Sequence, residues 1–76
     1  MTLTDWLEAP TDALLEEIAN DDGTFHLTWE TEFGYMAGFT GGPKSSTSGW
    51  PIEVHDPDLR TALAKLIVER AERARP

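Results

Sequence analysis

The chain has no cysteine. That excludes a disulfide framework, a thiolate metal site and a cysteine nucleophile. It also fits a cytoplasmic chain, and that location is the expectation. No apolar run approaches the roughly 20 residues of a membrane span, so no membrane contact is expected. The N-terminus shows neither the basic nor the apolar segment of a signal peptide. Positive charge is the other scarcity: lysine and arginine number 6 against 14 acids, a net charge of −8. Residues 1–43 contain no lysine or arginine at all. They carry Asp5, Glu8, Asp12, Glu16, Glu17, Asp21, Asp22, Glu30 and Glu32. The second part holds five acids and six bases, so the acidity belongs to the first part. Such a surface repels phosphate, which argues against direct nucleic-acid binding.

What the chain does have is ordinary for a compact domain. Its 76 residues predict one small domain over 1–76, with a core of only a few kcal/mol net. The clearest local pattern runs from Trp50 to Arg75. Trp50, Ile52 and Val54 alternate with Pro51, Glu53 and His55, the period of a half-buried strand. Asp56-Pro57-Asp58 follows, and Asp56 is read as the N-cap, with Pro57 at the first helical position. Leu59, Ala62, Leu63, Leu66, Ile67 and Arg70 then recur at spacings of three and four, one stripe of a long helix. Acid at its start and arginine at its end suit the helix dipole.

A shorter helix is predicted over about residues 11–20, capped by Thr11, with Leu14, Leu15, Ile18 and Ala19 inward. Asp12, Glu16 and Glu17 are expected to point away. A separate turn over 3–9 precedes it, with Thr4 as a candidate cap. Asn20-Asp21-Asp22-Gly23 stops the helix. Phe25, Leu27 and Trp29 alternate with polar residues, and Phe33, Tyr35, Ala37 and Phe39 do the same. These are two strands of an antiparallel hairpin. Residues 41–49 hold no apolar side chain and are expected to form a flexible loop.

The expected fold is therefore α+β, in the order α-β-β-β-α. A three-stranded antiparallel meander packs on a long C-terminal and a shorter N-terminal helix in two layers. Its inner face would bury Phe25, Leu27, Trp29, Phe33, Tyr35, Phe39, Trp50, Ile52 and Val54. Trp6 is read as a lid on the core. The element order resembles that of double-stranded-RNA-binding domains, in topology alone. The resemblance would imply a basic patch opening the last helix, where this chain has Asp56-Pro57-Asp58.

The motifs that carry chemistry are missing or broken. Gly38-Phe-Thr-Gly-Gly-Pro-Lys44-Ser45 approaches a phosphate loop, but proline stands where the second glycine is needed. His26 and His55 share a predicted outer sheet face but would flank the middle strand, about 10 Å apart, too far to share a metal. No serine lies in a GxSxG context. No catalytic, cofactor-binding or metal-binding residue is therefore assigned, and no cofactor is expected.

The acidic part is the main functional pointer. One-signed charge on a surface speeds encounter with a partner of opposite sign. The expectation is a non-enzymatic acidic protein-binding module that docks on a basic, nucleic-acid-handling protein. Asp12, Glu16, Glu17, Asp21 and Asp22 are the candidate contacts. In size, acidity and lack of catalytic motifs the chain is similar to small phage-encoded inhibitors, anti-CRISPR proteins among them. Two alternatives use the same sequence features. One is an antitoxin or immunity protein that caps a toxic enzyme. The other is a small structural subunit that forms homodimers.

Overall fold

The computed structural model describes residues 2–74. Its elements are α1 (Leu3–Glu8), α2 (Thr11–Ala19), β1 (Gly23–Glu30), β2 (Gly34–Gly41), β3 (Pro51–Asp56) and α3 (Leu59–Arg73). The three strands form one antiparallel sheet in the order β1-β2-β3, the meander the alternation predicts. Among the described residues, no helix is long and apolar enough to cross a membrane.

The helix starts follow from where a side-chain oxygen meets free amides, and all three differ from the expected caps. Thr2, not Thr4, caps α1: its hydroxyl accepts from the Asp5 amide while Asp5 reaches back to the Thr2 amide, a reciprocal box. At α2 the cap position is Pro10, without a side-chain bond, and Thr11 is already helical. Asp58, not Asp56, caps α3, accepting from the Thr61 amide at 3.0 Å and its hydroxyl at 2.7 Å. Asp56 is still a strand residue, opposite Tyr35 in the ladder. Its carboxylate takes the Asp58 amide at 2.9 Å and Lys65 Nζ at 2.7 Å.

The helix ends have a common solution. Neither α1 nor α2 has a base in its last turn. Their exposed carbonyls need donors from elsewhere, and α3 supplies them. Arg60 donates to the carbonyls of Leu7 and Ala9, closing α1. Arg70 donates to the carbonyls of Glu17 (3.3 Å) and Ile18 (3.4 Å), closing α2. Arg70 is 9% exposed, lies 5.3 Å from the centre of the Phe39 ring, and faces the carboxylates of Glu17 and Asp21. Its place on the buried stripe is the one the sequence pattern predicts.

The core joins Leu14 and Ile18 of α2, Ala37 and Phe39 of β2, Ile52 of β3, and Ala62, Leu63, Leu66 and Ile67 of α3. Each buried leucine or isoleucine contributes about 2 kcal/mol relative to exposure. Trp6 packs against this cluster as the expected lid, along with Phe25, Tyr35, Val54 and Leu59. The inner sheet face has the predicted parity: Phe25 opposes Phe39, Leu27 opposes Ala37, and Ala37 opposes Val54.

Burial departs from expectation on one side. Leu27 is 40% exposed, Trp29 56%, Phe33 62% and Trp50 67%. The reason is width. A helix with side chains is about 10 Å across and strands lie about 4.8 Å apart, so one helix covers about two strands. α3 lies over β2 and β3, while α1 and α2 pack along α3. β1 projects beyond the covered area, so Leu27 and Trp29 stay on the inner face but uncovered. Phe33 sits in the turn after β1, not in β2. Trp50 precedes β3.

Two outcomes follow for stability. Arg70→Leu removes the donors of the α2 end and leaves two carboxylates without their cation. A loss of about 2 kcal/mol or more is expected in urea unfolding, and Arg70→Lys, with one ammonium for a fork, recovers only part of it. The second outcome concerns acid. Hydrogen bonds from Lys65 hold the Asp56 carboxyl below its usual range, and hydrogen bonds from Thr61 do the same for Asp58. A carboxyl lowered in the folded state contributes stability above its unfolded value of about 3.9, and loses it as pH falls through the folded value. Stability should therefore drop below about pH 4, and Lys65→Met should make that fall shallower.

Candidate functional site

Helix α2 turns Leu14 and Ile18 into the core. Because one residue is about 100° of rotation, Asp12, Glu16 and Ala19 (spacings of four and seven) then share the opposite, exposed face, with Leu15 at its margin beside Asp12. Leu15 and Ala19 thus lie outside, not inward as the spacing suggested, and Leu15 is 41% exposed. Among the described residues no lysine or arginine lies within 4.0 Å of Asp12 or Glu16. The arrangement is a pair of unneutralised carboxylates with an apolar side chain at the margin of their face.

The other three predicted contacts work inside the molecule. Glu17 is half-buried and faces Arg70 at 3.5 Å. Asp21 lies 3.8 Å from Arg70 Nε and accepts the Ser45 hydroxyl at 2.9 Å. Asp22 accepts the Lys44 amide at 2.8 Å through its carboxylate and the Gly42 amide at 2.8 Å through its carbonyl. Asp12 and Glu16 therefore form one exposed face, while Glu17, Asp21 and Asp22 belong to a buried-edge network.

That network ties down the 41–49 segment, which composition predicted to be flexible. Ser45 and Thr47 are buried, their hydroxyls 3.1 Å apart, and the Ser45 oxygen accepts the Thr47 amide. The amides at 42 and 44 are the ones a phosphate loop would turn to its ligand, and here they meet Asp22. A shallow cleft of about 300 Å³ opens beside them, lined by Glu17, Asn20, Asp21, Ser46, Arg70 and Ala74. The Arg70 guanidinium that borders it is already engaged by carbonyls and carboxylates. Among the described residues no buried side-chain polar atom lacks a partner.

On the outer sheet face His26 lies opposite Gly38 and His55 opposite Met36, on either side of β2. Among the described residues no group of three or more histidines and carboxylates is placed to hold a metal.

Sequence reasoning missed a further surface. Leu27 and Trp29 stand uncovered on the inner face of β1, with Trp29 against Tyr35 at 4.6 Å between ring centres and 59° between planes. Phe33 lies just beyond, between Glu32 and Gly34. Alternation alone looks the same on a covered and an uncovered strand. The usable signal was the count of helices wide enough to cover three strands.

Comparison of the chain with protein-family models, with curated proteins and with solved structures finds no match.

The Asp21–Ser45 contact can be checked directly. Asp21→Asn keeps the shape but removes the charge facing Arg70 and weakens the Ser45 bond. Amide exchange at Ser45 and Thr47 should rise several-fold, with little change along β2.

Proposed function

We propose that the chain is a non-enzymatic protein-binding module that docks on a basic, nucleic-acid-handling protein through the outward face of α2. One observation carries this reading: Leu15 stands exposed at the margin of the face that bears Asp12 and Glu16, and neither carboxylate is neutralised by a described residue. A helix that presents an apolar anchor beside a pair of charges suits a groove with an apolar strip along one basic wall. The charges speed encounter and set orientation, and the leucine supplies desolvated contact area. The remaining acids of the first part, Asp5, Glu8, Glu30 and Glu32, are exposed and extend the same sign of potential. In such a protein the basic surface normally meets nucleic acid, so occupation by an anionic helix would compete with it. That is the mode of action of a small inhibitor of the phage-encoded kind.

The test is capture followed by salt titration. Wild-type chain and the double variant Asp12→Lys, Glu16→Lys are immobilised in native host lysate, and retained proteins are identified by mass spectrometry. A basic nucleic-acid-binding protein retained by wild type alone is the expected result. Its affinity should fall as salt rises, and the double reversal should weaken it by about tenfold or more. Equal affinity and equal salt dependence for the two chains would overturn the reading. Glu17 is left unchanged in this design because its reversal would disturb Arg70.

A further inference from the structure

The two edges of the sheet are unlike. The β3 edge is six residues long, begins at Pro51 and is followed by Pro57. Lys65 sits over its end, on the Asp56 carboxylate and the His55 carbonyl. Proline, lysine and short length are the devices that keep a sheet edge from pairing. The β1 edge has none of them. It is eight residues long, Gly23–Glu30, without proline, lysine or arginine. It pairs one-to-one with β2 from end to end, so no bulge twists it away. Among the described residues, the backbone of residues 24–29 makes no hydrogen bond beyond that ladder. The side chains next to this open edge, on the inner face, are Phe25, Leu27 and Trp29, the last two uncovered.

We infer that β1 is a homodimer interface, where a second copy of the chain adds its own β1 in antiparallel fashion to make a continuous six-stranded sheet. The sequence of the strand is self-complementary about Leu27. With Leu27 on the twofold axis, Leu27 meets the partner's Leu27, Phe25 meets the partner's Trp29, and Trp29 meets the partner's Phe25. One unbroken apolar row results, and its two Phe–Trp pairs are of the aromatic type that stabilises sheets. On the other face His26 meets the partner's Thr28, and Thr24 meets the partner's Glu30, so no like charges are opposed. The axis preserves faces, so α3 of each copy lies on the same side. The bare strip over β1 becomes a trough between two helices, filled by the leucines and tryptophans of both copies. The outward face of α2 is a separate surface, since α2 packs chiefly along α3.

A second copy suits this strip better than a basic partner does, because the strand bears a single acid, Glu30, at its far end. The two kinds of binding also respond to salt with opposite sign. Each copy carries a net −8, so screening should tighten the dimer while it weakens docking on a basic protein.

The experiment uses the full chain in sedimentation velocity across about three decades of concentration, at low and high salt. A monomer–dimer equilibrium that tightens with salt is expected. Leu27→Lys should weaken it by at least about tenfold while circular dichroism stays native, since a lysine there restores a standard edge defence. The chain has no cysteine, so a single introduced thiol reads the register. Leu27→Cys should cross-link to dimer under mild oxidation, and Glu53→Cys, on the far strand, should not. A monomer at every concentration would overturn the inference. So would a dimer that Leu27→Lys leaves intact, or one in which Glu53→Cys cross-links as readily as Leu27→Cys. A Leu27→Lys chain that fails to fold leaves the thiol pair to decide. Loss of the dimer with α2-dependent capture intact would separate this surface from the proposed basic partner.

Discussion

Helix α3 holds three of its neighbours, α1, α2 and β3, by giving each a cation. Arg60 closes the end of α1, Lys65 meets Asp56 at the end of β3, and Arg70 closes the end of α2. These bases are five residues apart, so each is rotated about 140° from the previous one on a helix of 3.6 residues per turn. A helix surrounded by neighbours needs that kind of spacing: its cations leave in three directions, each toward a different element. Among them Arg70 bears the most. It joins a helix end, two carboxylates and the face of Phe39, and through Asp21 it reaches Ser45 and the segment between β2 and β3. Burial of its charge is tolerable because every direction offers an acceptor or a ring.

The lopsided charge of the sequence gains a structural meaning from this. A first part without bases cannot close its own helices by the usual basic last turn. The second part does it from across the fold, so the acidic half depends on the basic helix for its helix ends. Part of the acidity is spent in the same way. Glu17, Asp21 and Asp56 are answered by α3, and Asp5 and Asp58 by the amides of their own helix starts. What stays outside with no lysine or arginine partner among the described residues includes Asp12 and Glu16. The net charge therefore overstates the surface available for recognition, and position decides which acids can act on a partner.

Period and parity were legible in the chain, and partners were not. The alternation of β1 and β2, the position of the hairpin and the α3 stripe down to Arg70 all follow from local rules. The caps were misplaced by two residues at Asp56, because Asp56-Pro57-Asp58 offers two carboxylates. Only the continuing ladder with Tyr35 keeps the first of them in the strand. Leu14 and Leu15 are indistinguishable by type. Which of them faces the core depends on where Arg70 and α3 hold the helix. Likewise Glu17 and Glu16 are neighbours with opposite fates, one drawn in by a cation 53 positions later and one left outside. Such choices come from pairs distant in sequence, and no window of local pattern contains both members. The loop at 41–49 makes the same point, since its anchors are Asp21 and Asp22.

Both uncovered surfaces trace to the single long helix. One helix of ordinary width covers two strands, so the third keeps its apolar row in the open. The same helix sends three of its bases to neighbouring elements, so few remain to neutralise the outside. A chain of this length had two ways to hide β1: a further helix, or polar residues on the inner face of that strand. It has neither. Leu27 and Trp29 cost solubility if left bare, and an edge without proline or lysine adds a risk of uncontrolled strand pairing. A twofold pairing removes both liabilities at once and stops at two copies, because the outer edges of the enlarged sheet are then the β3 edges, guarded by Pro51 and Lys65. Closure of that kind would leave an anionic body with two α2 faces pointing outward, a geometry able to engage two basic sites at once.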